Sequence, residues 1–405
     1  MSLIAPFRAL RPVPALASQV ASRPYDVLNS EEARQEAAGN PNSFLHVTKS
    51  EIDLPGDVHV YSKLVYEKAA ENLKQLEKDG VLVRDDKPHY YIYRLIMDGR
   101  SQTGLVCVSS VDDYNKDLIK KHEFTRPEKE QDRIDHMKTI KAQTGNVFLA
   151  YNNVAELDKL INDWKAAKEP VYDFVADDGI SHTIWVVDDQ ETVEKITNLF
   201  GTKVPVTYIA DGHHRAASAS KVFSKDLEGS DFFLTTVFPA SELKILDYNR
   251  VVRDLNGLTA ETFLESLKKD FDVSSSIEPV KPAELHEFGL YLEGKWYRLK
   301  ARPGTFATDP VGVLDVSILS ANVLDKLLGI KDQRTDKRID FVGGIRGLGE
   351  LEKRVNSGEM KLAFSFYPVS IEQLFAIADS GNVMPPKSTW FEPKLRDGLL
   401  TNLIG

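Results

Sequence analysis

The sequence predicts an α/β or α+β fold, with mixed sheets flanked by helices. Three observations carry that expectation. Strand-like and helix-like segments alternate along most of the 405 residues. Over residues 204–226 an apolar, β-branched run leads through a glycine turn into a small-residue helix. Residues 232–238 are mostly apolar with two threonines, the pattern of a strand covered on both faces.

The elements follow in order. The first ~45 residues are rich in proline and polar side chains and read as loop, with a polar helix over 31–38. Leu64, Val65, Leu73 and Leu76 recur at helical spacing within 61–79. Residues 89–97 and 104–111 read as strands joined through Asp98-Gly99-Arg100-Ser101, a hairpin. A charged helix is expected over 128–143, a strand over 147–151 and a helix over 154–167. Strands over 171–176 and 183–187 flank the turn Asp178-Gly179, and a helix covers 189–200. Then come the 204–210 strand, the 212–226 helix and the 232–238 strand.

Past about residue 255 the pattern changes. A helix over 259–269 precedes two short strands, 289–292 and 296–300, turned by Glu293-Gly294-Lys295. A long apolar-faced helix is expected over 313–328, followed by strand 338–342, helix 349–356, strand 362–366 and helix 371–378. The expected division is a phosphate-binding core with an N-terminal elaboration over 1–250, and a C-terminal α/β region over 251–405.

Composition narrows the function. Apolar residues make up 42 % and charged residues 28 %, ordinary for a globular protein. The net charge of −10 is a poor basis for nonspecific nucleic-acid binding, so no nucleic-acid partner is expected. Pro6, Pro12 and Pro14 break any apolar leader, and no apolar run is long enough to span a bilayer. With one cysteine, Cys107, there is no disulfide framework, and we expect a buried thiol and a cytoplasmic protein with no membrane partner.

Polar chemistry concentrates at Asp211-Gly212-His213-His214-Arg215. A strand that enters a helix through glycine leaves free N–H groups at the positive end of the helix dipole, a ready anion site. Gly212 permits close backbone approach, and Arg215 suits two-pronged contact with phosphate. Adjacent histidines diverge by ~100° on a helix, so His213 and His214 are poorly placed to share one metal. Asp211 reads either as the helix N-cap or as a carboxylate aimed at the site.

Three further clusters are ambiguous. Arg126 precedes a proline-started helix with Lys129 in its first turn, which is either an anion contact or a solvated helix. Lys387-Ser388-Thr389 offers an ammonium and two hydroxyls, but no Walker glycines precede it, and it also reads as an ordinary loop. The glycines at 343, 344, 347 and 349 do not match dinucleotide spacing and read best as a turn. No zinc spacing, His-Glu-x-x-His or Gly-x-Ser-x-Gly motif occurs.

Five segments in order, Arg23-Pro24-Tyr25-Asp26-Val27, Arg126-Pro127-Glu128-Lys129, Ala210-Asp211-Gly212-His213-His214-Arg215, Asp340-Phe341-Val342-Gly343-Gly344 and Met384-Pro385-Pro386-Lys387-Ser388-Thr389, resemble the family called domain of unknown function 1015. The Asp-Gly-His-His-Arg segment is also similar to the phosphate-binding turn of the ParB/sulfiredoxin superfamily, which includes free-serine kinases. That resemblance implies a ParB/sulfiredoxin-like core in which Gly212, His213, His214 and Arg215 bind phosphate and Asp211 lies beside the transferred group. Sulfiredoxin chemistry needs a cysteine in this turn, and partitioning proteins carry a basic DNA-binding domain. Neither is present.

What remains within the superfamily is a phosphotransferase that takes ATP or ADP with Mg²⁺ and acts on a small hydroxyl compound such as free serine. Asp211 would act as a catalytic group and a Mg²⁺ ligand, His214 as a catalytic group, and Asp26 as the base. Gly212, His213, Arg215, Arg126, Lys129, Lys387, Ser388 and Thr389 would hold the nucleotide. Two alternatives stay open: a nucleotide-binding regulatory protein without turnover, and a metal-dependent hydrolase using His213 or His214.

Overall fold

The computed structural model describes residues 3–224 and 227–405. The chain divides into two compact units, Met1–Leu243 with Pro393–Gly405, and Lys244–Glu392. Both are built from sheet and flanking helix, so the fold is mixed α/β.

The first unit is organised on a nine-stranded sheet. Its strands are β1 (Ile4–Ala5), β2 (Tyr90–Met97), β3 (Arg100–Ser110), β4 (Ile119–Lys120), β5 (Val147–Tyr151), β6 (Tyr172–Val175), β7 (Ser181–Val187), β8 (Thr207–Asp211) and β9 (Phe232–Pro239). The order is β4-β8-β5-β9-β3-β2-β7-β6, with β1 paired to β3. Pairing is antiparallel except for β8 with β4 and β9 with β5. Its helices include α1 (Lys63–Lys78), α2 (Pro127–Ile140), α3 (Ala155–Ala167), α4 (Gln190–Lys203) and α5 (His213–Val222). Ile92, Leu149, Ile209 and Ile4 are wholly buried at the centre.

Local chemistry explains several elements. Met97 pairs with Arg100 across Asp98 and Gly99, both at positive φ (52° and 77°), which matches the twist of a two-residue hairpin. Strand β3 therefore starts four residues before the expected 104. β9 is buried from Phe233 onward, as its two-faced apolar pattern requires. Cys107 is buried in β3, with Sγ 3.3 Å from Thr235 Oγ1.

Helix α2 stops earlier than the expected 143. Lys141 turns left-handed (φ 57°), and Ala142–Gln143 becomes a strand paired with Asn402–Leu403. The expected 212–226 helix ends at Val222, and its last two positions, 225–226, lie outside the described residues.

The second unit carries a six-stranded, wholly antiparallel sheet. Its strands are β10 (Tyr248–Val252), β11 (Phe271–Ser276), β12 (Glu287–Leu292), β13 (Lys295–Ala301), β14 (Ile339–Gly343) and β15 (Leu362–Phe366), in the order β11-β13-β12-β15-β10-β14. The β12–β13 hairpin turns on Glu293 and Gly294, again two left-handed residues. The long helix expected over 313–328 is shorter. Asp309 accepts the N–H groups of Val311 and Gly312 in a turn, and helical structure starts at Asp315 and continues as a π-helical turn over Ser320–Asp325.

Candidate functional site

The strand–glycine–helix turn is present. β8 carries an irregularity between Ile209 and Asp211, so the Asp211 side chain is re-aimed at the strand end. Gly212 then adopts φ +99°, a conformation that suits glycine, and α5 begins. Gly212 itself is the N-cap, and as a glycine it offers α5 no side-chain cap. The N-cap reading of Asp211 is thereby corrected. Its carboxylate instead meets Lys394 Nζ at 2.9 Å and Arg215 at 3.7 Å. The first-turn N–H groups of α5 are left for another acceptor.

Arg215 is wedged between two glycines. A Cβ on Gly212 or on Gly145 would stand 3.1 Å from its side chain. One terminal nitrogen donates to the Asn146 carbonyl, while Asp26 and Asp211 each lie 3.7 Å from the other. Nε is buried without a hydrogen-bond partner among the described residues. Burial opposes its charge, but Asp26, Asp211, Tyr25 and Asp397 outweigh it, and the guanidinium stays protonated. It is a fixed cation with donor capacity to spare.

The two histidines turn toward the loop that leads into α2. His213 Nε2 accepts the backbone N–H of His122 at 3.4 Å, and its Nδ1 lies 3.8 Å from Glu123. His214 Nε2 accepts the Arg126 N–H at 2.9 Å. Accepting at Nε2 requires that nitrogen to be unprotonated. Burial holds both rings neutral, taking His214 down to about 4 and His213 well below its ordinary value. Arg126 is thus tied by its backbone to the first turn of α5. Lys129 is close enough to His214 to disfavour its charged form. Asp26, in a short 3₁₀ turn after Pro24, also reaches Arg215. The structure therefore brings Asp26, Arg126, Lys129 and residues 211–215 together.

Lys387, Ser388 and Thr389 belong to the second unit. There Lys387 is left-handed (φ 57°) and its carbonyl accepts from Arg250 at 2.9 Å, while Ser388 Oγ donates to Pro385. Arg250 is itself buried between the rings of Phe341 and Phe366.

Sequence patterns do not reveal several residues of the site. Lys394 and Asp397 arrive from the returning tail, and Gly145 and Asn146 are the two residues just before β5. Arg133, 4.0 Å above the Tyr25 ring and paired to Asp132, lines a small cavity with Tyr25, Thr144, Gly145, Arg215 and Phe233. The one signal that flags Asp397 is the Asp-Gly dipeptide it forms with Gly398. Among the described residues no group of three or more His, Cys, Asp or Glu is arranged to hold a metal, and no helix is long and apolar enough to cross a membrane.

Buried neutral imidazoles give a pH expectation. Burial pushes His122 to about 4, His136 to about 3 and His182 to about 3, from 6.5, alongside His213 and His214. Unfolded, these rings take up protons near 6.5, and folded they resist. Their stabilisation is whole above 6.5 and is lost as pH falls toward 4. Asp397 and Asp315, each raised to about 7 by burial, and His46, raised by its hydrogen bond to Asp53, act with the opposite sign, and the five lowered histidines are expected to outweigh them. The urea midpoint should be lower at pH 5 than at pH 7. An equal or higher midpoint at pH 5 would contradict the assignment.

Fold and site define a mixed α/β protein with an uncapped strand–glycine–helix turn built around a buried arginine. The chain belongs to the family described as "Protein of unknown function (DUF1015)", which matches residues 4–317. No curated protein matches the chain. Among solved structures, free serine kinase in complex with AMP is 15 % identical, with 72 % of this chain and 91 % of that chain covered and a TM-score of 0.36. A mutant form of free serine kinase in complex with ADP is 15 % identical over 72 % and 92 %, with a TM-score of 0.36. SbnI with C-terminal truncation from Staphylococcus aureus is 10 % identical over 72 % and 85 %, with a TM-score of 0.33.

Proposed function

We propose that this protein is a nucleotide-dependent phosphotransferase acting on a small hydroxyl compound, with free serine the acceptor suggested by the motif resemblance. The observation that carries the reading is Arg215. It is a cation locked between two glycines at the first turn of an uncapped helix, with an unpartnered Nε, at the edge of a cavity. Phosphoryl transfer asks chiefly for positioning and charge neutralisation, and N–H groups, helix dipole and guanidinium supply both.

A hard cation carried in with the nucleotide would find one carboxylate at the turn, Asp211, which Lys394 and Arg215 already hold, so the nucleotide's phosphates would have to supply most of its ligands. Mg²⁺ held by Asp211 would neutralise phosphate charge. The hydrolase reading loses support, since both histidines use Nε2 to accept backbone N–H groups.

Phe124 supports a nucleotide as the ligand. It is 71 % exposed, midway in the loop whose ends, His122 and Arg126, are tied to α5. An exposed aromatic face beside a phosphate turn suits base stacking, and Phe124→Ala should weaken nucleotide binding by about 1 kcal/mol.

The test is a transfer assay. The purified protein is incubated with Mg²⁺, ATP or ADP and a pool of hydroxyl metabolites including serine, with products read by mass spectrometry and Arg215→Lys as control. A phosphorylated product lost in the variant supports the reading. Nucleotide binding without product from any acceptor replaces it with the regulatory alternative.

A further inference from the structure

Arg250, in the second unit, is a buried cation that no carboxylate answers. It stands on β10, is 1 % exposed, and has the rings of Phe341 and Phe366 at 5.1 and 5.0 Å. Its Nη1 donates to the carbonyls of Tyr248 and Lys387, the second at 2.9 Å, and its Nη2 to the Pro386 carbonyl at 3.1 Å. Among the described residues it forms no ion pair. Burial pulls the guanidinium down to about 9, with Tyr248 opposing, so it stays charged at neutral pH. Ring faces and carbonyl dipoles offset part of the cost of burying that charge. A neutral amide could hold the same carbonyls, so the charge itself asks for a negative partner.

The same contacts decide where the loop's N–H groups go. In a trans peptide the N–H points opposite to the C=O. With the Pro386 and Lys387 carbonyls both turned to Arg250, the N–H groups of Lys387 and Ser388 leave on the other side. Neither donates to an acceptor among the described residues. Lys387 is left-handed (φ 57°), the backbone shape of an anion nest. Its side chain is exposed, with Nζ 5.6 Å from the centre of the Tyr248 ring and no carboxylate paired to it among the described residues. The loop is held in place. Ile245 and Leu246 pair with Phe391 and Trp390, and Ser388 Oγ donates to the Pro385 carbonyl at 2.7 Å. Gly343 leaves room for the Trp390 ring, which a Cβ there would meet at 2.9 Å. The donors are therefore positioned before a ligand arrives.

We propose that the Lys387–Ser388 turn binds a phosphate group through its two backbone N–H groups and the Lys387 ammonium, with Arg250 as the positive charge behind the peptides. Arg250 touches no phosphate oxygen and is a positioning residue. It holds and polarises the two peptide groups whose carbonyls it binds, so their N–H ends present more positive charge to the anion. A phosphate offers more oxygens and more charge than a carboxylate, and this turn supplies backbone donors and an ammonium to meet them. The site belongs to the second unit and stands whether or not the α5 turn transfers phosphoryl.

The experiment is hydrogen exchange on the full chain, read by mass spectrometry on peptides spanning 385–390, in sodium phosphate against sodium chloride of equal ionic strength. The amides of Lys387 and Ser388 should exchange more slowly in phosphate, and equal exchange in the two salts overturns the proposal. Lys387→Asn keeps a residue that tolerates the left-handed turn and removes the ammonium. It should raise the phosphate concentration for half-protection about tenfold, the weight of one charge-assisted hydrogen bond. An unchanged half-protection point in that variant overturns the site. Arg250→Met should raise the point by at least as much, and Arg250→Lys, which restores the charge, should recover part of that loss. A folded Arg250→Met with the wild-type point overturns the part given to Arg250. If Arg250→Met does not fold, wild type and Lys387→Asn decide the site. A second arm with glycerol phosphate tells an esterified phosphate from the free ion by which of the two protects at lower concentration.

Discussion

Replacing Arg215 with alanine is expected to remove nucleotide binding and to lower stability by about 3–5 kcal/mol, because Asp26, Asp211 and Asp397 would face one another without their central cation. Urea denaturation and calorimetric titration with ATP read the two effects separately. Arg215→Lys separates charge from shape. An ammonium restores part of the stability but does not reproduce the planar donor lodged between Gly145 and Gly212. Its nucleotide affinity should stay at least ~10-fold below wild type, the weight of one charge-assisted hydrogen bond. An alanine variant with wild-type midpoint and affinity would remove Arg215 from the site altogether.

The second large effect is expected at Gly398. Valine there must adopt φ near +87° and push into Phe44. Left-handed strain and overpacking together cost about 2–6 kcal/mol. The tail should loosen first, carrying Lys394 away from Asp211 and Asp397 away from Arg215. Hydrogen exchange should speed up at the Asp397–Ser22 and Thr401–Leu10 bridges before the central sheet opens. Gly304→Ala is the control, since Gly304 also has a positive φ (+82°) but nothing within 4 Å of its missing Cβ. That variant carries only the backbone strain. Equal losses from the two substitutions would mean that the Phe44 contact is unimportant.

Those parts of the molecule that depend on neighbours along the chain are legible in the sequence itself. The Gly212 turn, the Asp98-Gly99 hairpin and the Glu293-Gly294 hairpin each announce themselves through a residue that tolerates positive φ. Helix α2 is shorter than its sequence pattern suggests because its end is set from afar. Lys141 reverses so that Ala142–Gln143 can pair with Asn402–Leu403, and nothing within residues 128–143 reveals that partner. The same distance hides half of the candidate site. Asp211 meets Lys394 across 183 positions, and Arg396 meets Asp178 across 218. Composition and periodicity carry no trace of such pairs. The buried Arg250 is equally invisible, because a lone arginine in a strand pattern gives no hint that backbone carbonyls and two aromatic rings will enclose it.

The order in which the chain is made gives the returning tail a further meaning. Residues 393–405 complete the first unit, yet they are translated only after residues 244–392. On the ribosome, the earlier residues of that unit can form most of their sheet while the last groove on it stands empty. Lys394 and Asp397 reach the Arg215 pocket only when everything in between has been synthesised. A nascent chain halted within the second unit therefore lacks both groups. The first unit is thus finished by the last residues made.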